Sequence, residues 1–418
     1  MSFEPTLWSK VGSIKGELER AGKKVIGLHE GDIPVFGHTN QPLSEYLVQA
    51  AREGWHMYPP VTTWPGQLKK AISEFEKFYR YVDYSPDDII LTPGGAGCYQ
   101  LLHFTLLDPG DELAAIEPAH YLAGPTSYMY CYKSKVVTSS CDEANDWEPN
   151  LDELRDILGD KTKGIVLDHP NNPTGAVYSD KAVKGIVDLA GEFDIPVISD
   201  ELYGLITFDG VVAKSMASIA GDVPVIVMNS MSKIFMRPGW RVGYMAFHDP
   251  EGKIEDVSRV AKKVARLYGQ ATTCIPTPLL VAATRSFRSL VDRLQGEFSE
   301  VGSAETTETT GALREMIDKL QNRRDFTYKR LNEIDGTNCT KPRASLYALP
   351  RVDAIGKTWK TDDDFILDLL KEEHIIFAPG HHYGKTGAGH FRTILTPNLE
   401  ILEDIYGRLE RFLSRHTA

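Results

Sequence analysis

Lys233 lies in the run "NSMSKIFMRPGWRVGY" (Asn229–Tyr244), among small and apolar residues, with Ser230 before it and Arg241 after it. A lysine kept from bulk water has its pKa lowered and becomes a usable amine for a Schiff base. The ordinary reading of any single lysine is a head group in solvent, so the other strand ends have to decide. "TPGGAGCYQ" (Thr92–Gln100) is a glycine-rich turn. Placed between a strand and a helix, it offers backbone N–H groups and a helix N-terminus to an anion. It is not a dinucleotide fingerprint, because Gly95-x-Gly97 is followed by Gln100, and it lacks the GK[ST] of a P-loop. "DHPNNPTG" (Asp168–Gly175) fixes a turn and aims an amide side chain into a cleft, although alone it reads as a plain turn. "ISDELYG" (Ile198–Gly204) puts Asp200 at the end of an apolar run. A buried carboxylate there must be paired or costs several kcal/mol. Tyr203 shares its face if a helical turn begins there, and an N-cap aspartate is the plain alternative.

These groups need a frame. The middle of the chain alternates short β-like runs with helical stretches. The runs are Asp88–Thr92, Glu112–Ile116, Lys135–Thr138, Gly164–Leu167, Pro196–Ser199 and Val225–Met228. Several are apolar throughout, as strands covered on both faces are. Leu68, Ile72, Phe75 and Tyr79 recur at helical spacing, and so do Leu151, Leu154 and Leu158. Such alternation predicts an α/β domain with a mostly parallel sheet, whose ligand sits at the carboxyl ends of the strands. The C-terminal part reads as a smaller α+β domain: a helix near Gly311–Ile334, a strand-like Ser345–Val352, the helix "DDFILDLLKEE", the strand "HIIFAP" and a final helix. The N-terminal strand Val25–Gly31 is a candidate to join it. The expected division is a large domain over 50–300, and a small one from 1–49 and 301–418. "SAETTETT" (Ser303–Thr310) reads as a loop or helix junction.

Composition narrows the function. The 418 residues exceed one ordinary core. A net charge of −12 argues against a nucleic-acid or anionic-membrane partner. Five scattered cysteines (Cys98, Cys131, Cys141, Cys274, Cys339) with no CxxC argue against a disulfide framework or a metal site, and point to a reducing cytoplasm. No run reaches membrane-span length, and "MSFEPTLWSK" has no apolar signal core.

Together, an anion cradle (the glycine turn, Ser230, Arg241), a buried carboxylate, two neutral polar groups and an amine suit one cofactor, pyridoxal 5'-phosphate. A carboxylate keeps its ring nitrogen protonated, so that the ring acts as an electron sink. The order of the motifs resembles that of fold-type I aminotransferases of class I/II. "SMSKIFMRPGWRVGY" is similar to that family's S-x-S-K…G-W-R-x-G lysine motif, and "NNPTG", "SDELY" and "TPGGAG" fall in register over nearly the whole chain.

The resemblance implies roles. Lys233 would carry the Schiff base. Asp200 would pair with the pyridine nitrogen. Asn172 and Tyr203 would hydrogen-bond the phenolic oxygen. Gly95, Ala96, Ser230 and Arg241 would hold the phosphate. Arg392 in "GAGHFRTIL" would fork onto the substrate carboxylate, with Gly31 of "LHEGD" beside it. Tyr58 in "YPPVTTWPG" would reach the phosphate of a neighbouring subunit, which implies a homodimer with shared active sites. Where the family places a ring-stacking aromatic, "EPAHYLAG" has His120, favoured by register, and then Tyr121. Ala96 stands where relatives carry a hydroxyl or an amine, so one phosphate contact is expected to fall to the backbone and Arg241.

The implied reaction moves the amino group of an L-amino acid, alanine or aspartate, to 2-oxoglutarate by a ping-pong course. "DPEGKIEDVSRVAKKVARLYG" and "LPRVDAIGKTWKTDDDFILDLL" look most like the alanine aminotransferase branch. Arg237 is a candidate for a second carboxylate, with a structural role the stronger reading. The alternatives are a C–S lyase or β-eliminating enzyme on this fold, an aromatic aminotransferase, a cyclopropane-forming synthase, a non-catalytic ligand-binding regulator and a nicotinamide-linked dehydrogenase. The regulator lacks a spare DNA-binding segment, and the dehydrogenase lacks its glycine fingerprint.

Overall fold

The structure, a computed structural model, describes residues 6–33, 37, 41–59, 63–123, 133–271, 275–297 and 304–417. Its centre is an eight-stranded sheet. The strands in chain order are β1 (Ile89–Thr92), β2 (Glu112–Glu117), β3 (Lys135–Asp142), β4 (Glu148–Pro149), β5 (Thr162–Asp168), β6 (Val197–Asp200), β7 (Val225–Ser230) and β8 (Gly243–His248). In space they run β1-β8-β7-β6-β5-β2-β3-β4. The strands β7, β6, β5, β2 and β3 run parallel to one another, while β8 is antiparallel to both β1 and β7, and β4 to β3. All six sequence-expected strands are present. The reversed strand β8 and the two-residue β4 were not foreseen.

The continuous apolar runs follow from burial on both faces. Ile165, Leu167, Val197, Val225 and Val227 point into one core. The alternate residues Val166, Ile198, Ile226 and Met228 point into a second, with Leu113, Cys98 and Leu102. Between strands the chain returns through helices with clear local signals. Asn150 caps Leu151–Ile157 by accepting from Glu153 N, and Ser179 caps Asp180–Glu192 by accepting from Ala182 N.

The chain ends meet. Ile26–Gly27, within the candidate N-terminal strand, pairs in parallel with Ile375–Ile376. Helix Leu7–Arg20 buries Leu7 and Val11 against Leu370 and Ile376. The expected strand Ser345–Val352 is two short pieces, Tyr347–Ala348 and Arg351–Val352. Most of "SAETTETT" belongs to helix Ala304–Glu333 rather than to a loop, and Ser303 lies outside the described residues. No proline interrupts it, and extending a nucleated helix by a turn or two costs little. Cys98, Cys141 and Cys339 are buried free thiols, and Cys131 and Cys274 lie outside the described residues. No helix among the described residues is long and apolar enough to cross a membrane.

Candidate active site

Five strand ends converge on one side of the sheet. Thr92 closes β1, and the chain turns at Gly94 (φ 74°) into helix α1 (Gly94–Leu106). A Cβ at Gly94 would fall 2.7 Å from Arg241 Nη2, so the guanidinium lies directly on the turn. Arg241 is fixed there by donating to the carbonyls of Pro238 (2.9 Å) and Pro93 (3.3 Å). Gly243 of β8 pairs with Ser230 at the end of β7, and a Cβ on it would sit 2.6 Å from the Gly94 carbonyl carbon. The reversed strand thus presses the two glycine motifs together. Ser230 Oγ accepts from Ser232 N (3.2 Å) and caps the short turn Met231–Ile234 that carries Lys233. The α1 N-terminus with Gly95 and Ala96, Ser230 and Arg241 therefore form one continuous polar corner.

Beside it is a cleft of about 260 Å³ lined by Gly31, His120, Asn172, Asp200, Tyr203, Lys233, Tyr347 and Arg392, with His29, Glu30, Asp168 and Leu202. Lys233 Nζ donates to the Gly31 carbonyl at 2.6 Å and lies 5.8 Å from the centre of the Tyr203 ring. This bond joins residues 202 positions apart in the chain.

Asp200 ends β6 buried, at the wall of the cleft. Its Oδ2 accepts from Tyr99 Oη (2.7 Å) and its Oδ1 from Leu202 N (3.2 Å). Burial pushes this carboxyl up to about 6, against the hydrogen bonds from Tyr99 and Leu202 and the charge of Lys233. Directly across the ladder, in register with Asp200, stands Asp168 at the end of β5. It accepts from His120 N (2.6 Å), and weakly from the same Tyr99 hydroxyl (3.4 Å). Burial and the neighbouring Asp200 hold its carboxyl well above the usual range.

Arg392 enters from the strand Phe391–Ile394. It donates to Asn172 Oδ1 (3.0 Å) and to the carbonyl of His29, between the rings of Tyr347 and Tyr383 at 4.2 and 5.0 Å. Its Nε makes no hydrogen bond among the described residues. Tyr203 Oη and Tyr347 Oη are 3.0 Å apart. Burial raises the Tyr347 phenol, but the charges of Lys233 and Arg392 and hydrogen bonds with Tyr203 and Lys233 outweigh it, so it lies below the usual tyrosine range.

The two candidates for a ring-stacking residue separate cleanly. His120 lines the cleft. Burial, then Arg392 and Lys233, hold its imidazole down at about 3, so it is neutral. Tyr121 turns away: its hydroxyl pairs with His103 Nε2 (2.8 Å), its ring stacks on His103, and it does not line the cleft. Consecutive residues at the start of a helix cannot share one face. Tyr58 is 88 % exposed and is not part of this chain's own cleft. Arg237 also stays out of it, donating to Ser44 Oγ (2.9 Å) and lying over Trp240.

Sequence reasoning missed Tyr347, Asp168, Tyr99 and His29. Asp168 carried the one available signal: an acid closing an apolar run, as Asp200 does. Tyr347 lies in an apolar stretch with nothing to mark it.

The aminotransferase class I and II family model matches residues 23–404. The chain is 29% identical over 405 residues to glutamate-pyruvate aminotransferase AlaA of Escherichia coli, covering 95% of this chain and 92% of that one. It is 30% identical over 393 residues to an aspartate aminotransferase of Pyrococcus abyssi, covering 94% and 92%. The structure overlays on an alanine aminotransferase of Pyrococcus furiosus with a TM-score of 0.87 at 38% identity, over 99% of this chain and 98% of that one. The fold is that of the pyridoxal-phosphate fold-type I aminotransferases, and the chain belongs to the class I and II aminotransferases.

Proposed function

We propose that the cleft binds pyridoxal 5'-phosphate on Lys233 and moves the amino group of L-alanine to 2-oxoglutarate. The observation that carries this reading is the juxtaposition of Lys233 Nζ, the Arg392 fork and the Asp200 carboxylate around one cleft. The residues fit the cofactor. The glycine turn has no room for a Cβ beside Arg241, so backbone N–H groups and a guanidinium are left facing an anion. His120 offers a flat, neutral ring whose Nδ1 makes no hydrogen bond among the described residues.

When bound, pyridoxal phosphate supplies an electron sink for negative charge at the amino acid's Cα. The protein does the rest. Asp200 would hold the ring-nitrogen proton, and Asn172 and Tyr203 the phenolic oxygen. Gly95, Ala96, Ser230 and Arg241 would grip the phosphate. Arg392 would bind the substrate carboxylate in two-point fashion, beside the Gly31 backbone. Lys233 Nζ would then carry the proton from Cα. The steps run once with the donor and once in reverse with the 2-oxo acid, which is a ping-pong course.

One observation favours alanine, the likeness to an alanine aminotransferase at 38% identity over 99% of this chain. The exposure of Tyr58 and Met57 suits an interface, so we read the enzyme as a homodimer in which Tyr58 reaches the neighbouring phosphate. Three buried free thiols support a reducing cytoplasm. We assign 50–300 to the large domain, and 1–49 with 301–418 to the small one.

The test is spectroscopic. The purified protein with pyridoxal phosphate is expected to show a yellow band that L-alanine bleaches and 2-oxoglutarate restores. Faster bleaching by L-aspartate would overturn the donor. A protein that never takes up the cofactor would overturn the reading.

A further inference from the structure

The carboxylates of Asp168 and Asp200 close adjacent parallel strands in exact-partner register, so both point to the same face at the same level. One phenol, Tyr99 Oη, serves both: 2.7 Å to Asp200 Oδ2 and 3.4 Å to Asp168 Oδ1. Tyr99 has a single proton, and both acids are 4% exposed or less. Two carboxylates so placed cannot both ionise at ordinary pH, and a close pair titrates in two separated steps. The partners decide which acid yields its proton first. Asp200 receives the short Tyr99 bond, the Leu202 N–H and the charge of Lys233. Asp168 receives one backbone N–H, from His120, and the long arm of Tyr99.

We propose that Asp168 and Asp200 form a one-proton dyad, in which Asp168 keeps the proton as a positioning residue so that Asp200 carries the negative charge. This rests on the cofactor reading only for its purpose. The dyad itself is a property of the protein alone. Asp168 serves the ring-nitrogen site without touching a substrate. It fixes the backbone of His120, and it meets Asp200 as a neutral neighbour.

The groups facing the pair are Tyr99 and Cys98 from α1, His120 after β2, Glu201, Tyr203 and Lys233 after β6 and β7, Tyr178 from the segment after β5, and Tyr383 from the C-terminal part. Cys98, Tyr99, Tyr178, Tyr203 and Tyr383 are all held above their usual values, chiefly by burial, and His120 is neutral. None of these thiol, phenol and imidazole groups therefore changes charge in the window in which the dyad loses its proton.

The experiment is thermal denaturation of the cofactor-free protein from pH 5 to 9, for the wild type and for Asp168→Asn. The dyad binds a proton in the folded state that the unfolded chain has released. Stability therefore falls as pH rises towards the dyad's second ionisation. Asp168→Asn, which keeps the acceptor for His120 N and is permanently neutral, is expected to flatten that fall by on the order of 1–3 °C per pH unit. An unchanged slope overturns the dyad. If the Asn variant does not fold, Asp200→Asn carries the test from the other side: without its partner's charge Asp168 is held up by burial alone, so the fall ends at a lower pH than in the wild type, and an unmoved end overturns the dyad.

A second measurement uses pyridoxal phosphate as a titrant at neutral pH. Asp168→Asn is expected to bind it within about threefold of the wild type, while Asp200→Asn loses 100-fold or more, or about 2.7 kcal/mol. Equal losses in both variants would make Asp168 an anionic ring partner and overturn the assignment. If even the wild type fails to bind, the cofactor reading falls, and the melting result still decides the dyad.

Discussion

Gly31→Ala is a small change with a calculable consequence. Gly31 faces the cleft, and its added methyl would sit 1.9 Å from Tyr347 Oη, 2.9 Å from Tyr347 Cζ and 3.1 Å from Lys233 Nζ. No real Cβ tolerates the first distance, so Tyr347 or the Gly31 backbone must move. Tyr347 is pinned by the Tyr203 hydroxyl at 3.0 Å and by the Arg392 guanidinium over its ring. Overpacking of this kind costs about 1–3 kcal/mol, and the hydrogen bond with Tyr203 adds about 0.5–1.5 kcal/mol if it breaks. The hydroxyl is the main obstacle. In Tyr347→Phe the nearest ring carbon is still close, but it can be accommodated by a shift of a few tenths of an ångström. The penalty of Gly31→Ala should then fall below about 1 kcal/mol, leaving a coupling of about 1–2 kcal/mol in a double-mutant cycle. Urea denaturation of the four proteins measures it. Additive effects, or a Gly31→Ala variant as stable as the parent, would show that the Tyr347 hydroxyl does not occupy the space above Gly31.

Replacing Arg80 with methionine should cost about 3–5 kcal/mol by urea titration, since it strands Glu201, whose Oε2 lies 2.7 Å from Arg80 Nη2 with both side chains buried; a loss under 1 kcal/mol would contradict the pairing. Burial lifts the Glu76 carboxyl to about 7, so the folded state holds a proton that the unfolded chain gives up near 4.5, and stability should fall as pH rises from 4.5 through 7. Glu76→Gln, still able to accept from Tyr244, should remove that component of a Tm-against-pH curve. Arg392→Lys should raise KM for the amino donor at least tenfold, because a point charge replaces a two-point fork; steady-state kinetics with unchanged KM would unseat Arg392 as the carboxylate residue. Lys233→Ala should abolish the borohydride-fixed cofactor adduct seen by mass spectrometry, and an adduct that persists would place the bond on another lysine.

The sequence shows strand ends well and strand neighbours poorly. Several runs in the sheet announce themselves by apolar continuity, and the polar residues at or just after their ends are visible as an interruption, which is how Asp200 and Lys233 could be found. Adjacency is a different kind of fact. Nothing near Asp168 says that β5 lies beside β6 with the two acids level. Nothing near Tyr347 says that Gly31 will be under its hydroxyl. Strand β8 hid for a related reason: "VGYMAFH" follows a lysine motif so specific that it reads as the tail of that motif rather than as a strand. The choice between His120 and Tyr121 depends on where one turn of helix begins, and only the placement of His103 reveals it.

The bond from Lys233 to the Gly31 carbonyl, with Arg392 tied to both His29 and Asn172, means that the cleft is sewn from both termini of the polypeptide. During synthesis the lysine emerges long before the strand that completes its surroundings. A ribosome must add about 160 further residues before Arg392 exists. The lysine and the arginine to which we assign the Schiff base and the carboxylate are thus separated in time as well as in sequence, and a chain cut short between Lys233 and Arg392 has the first without the second.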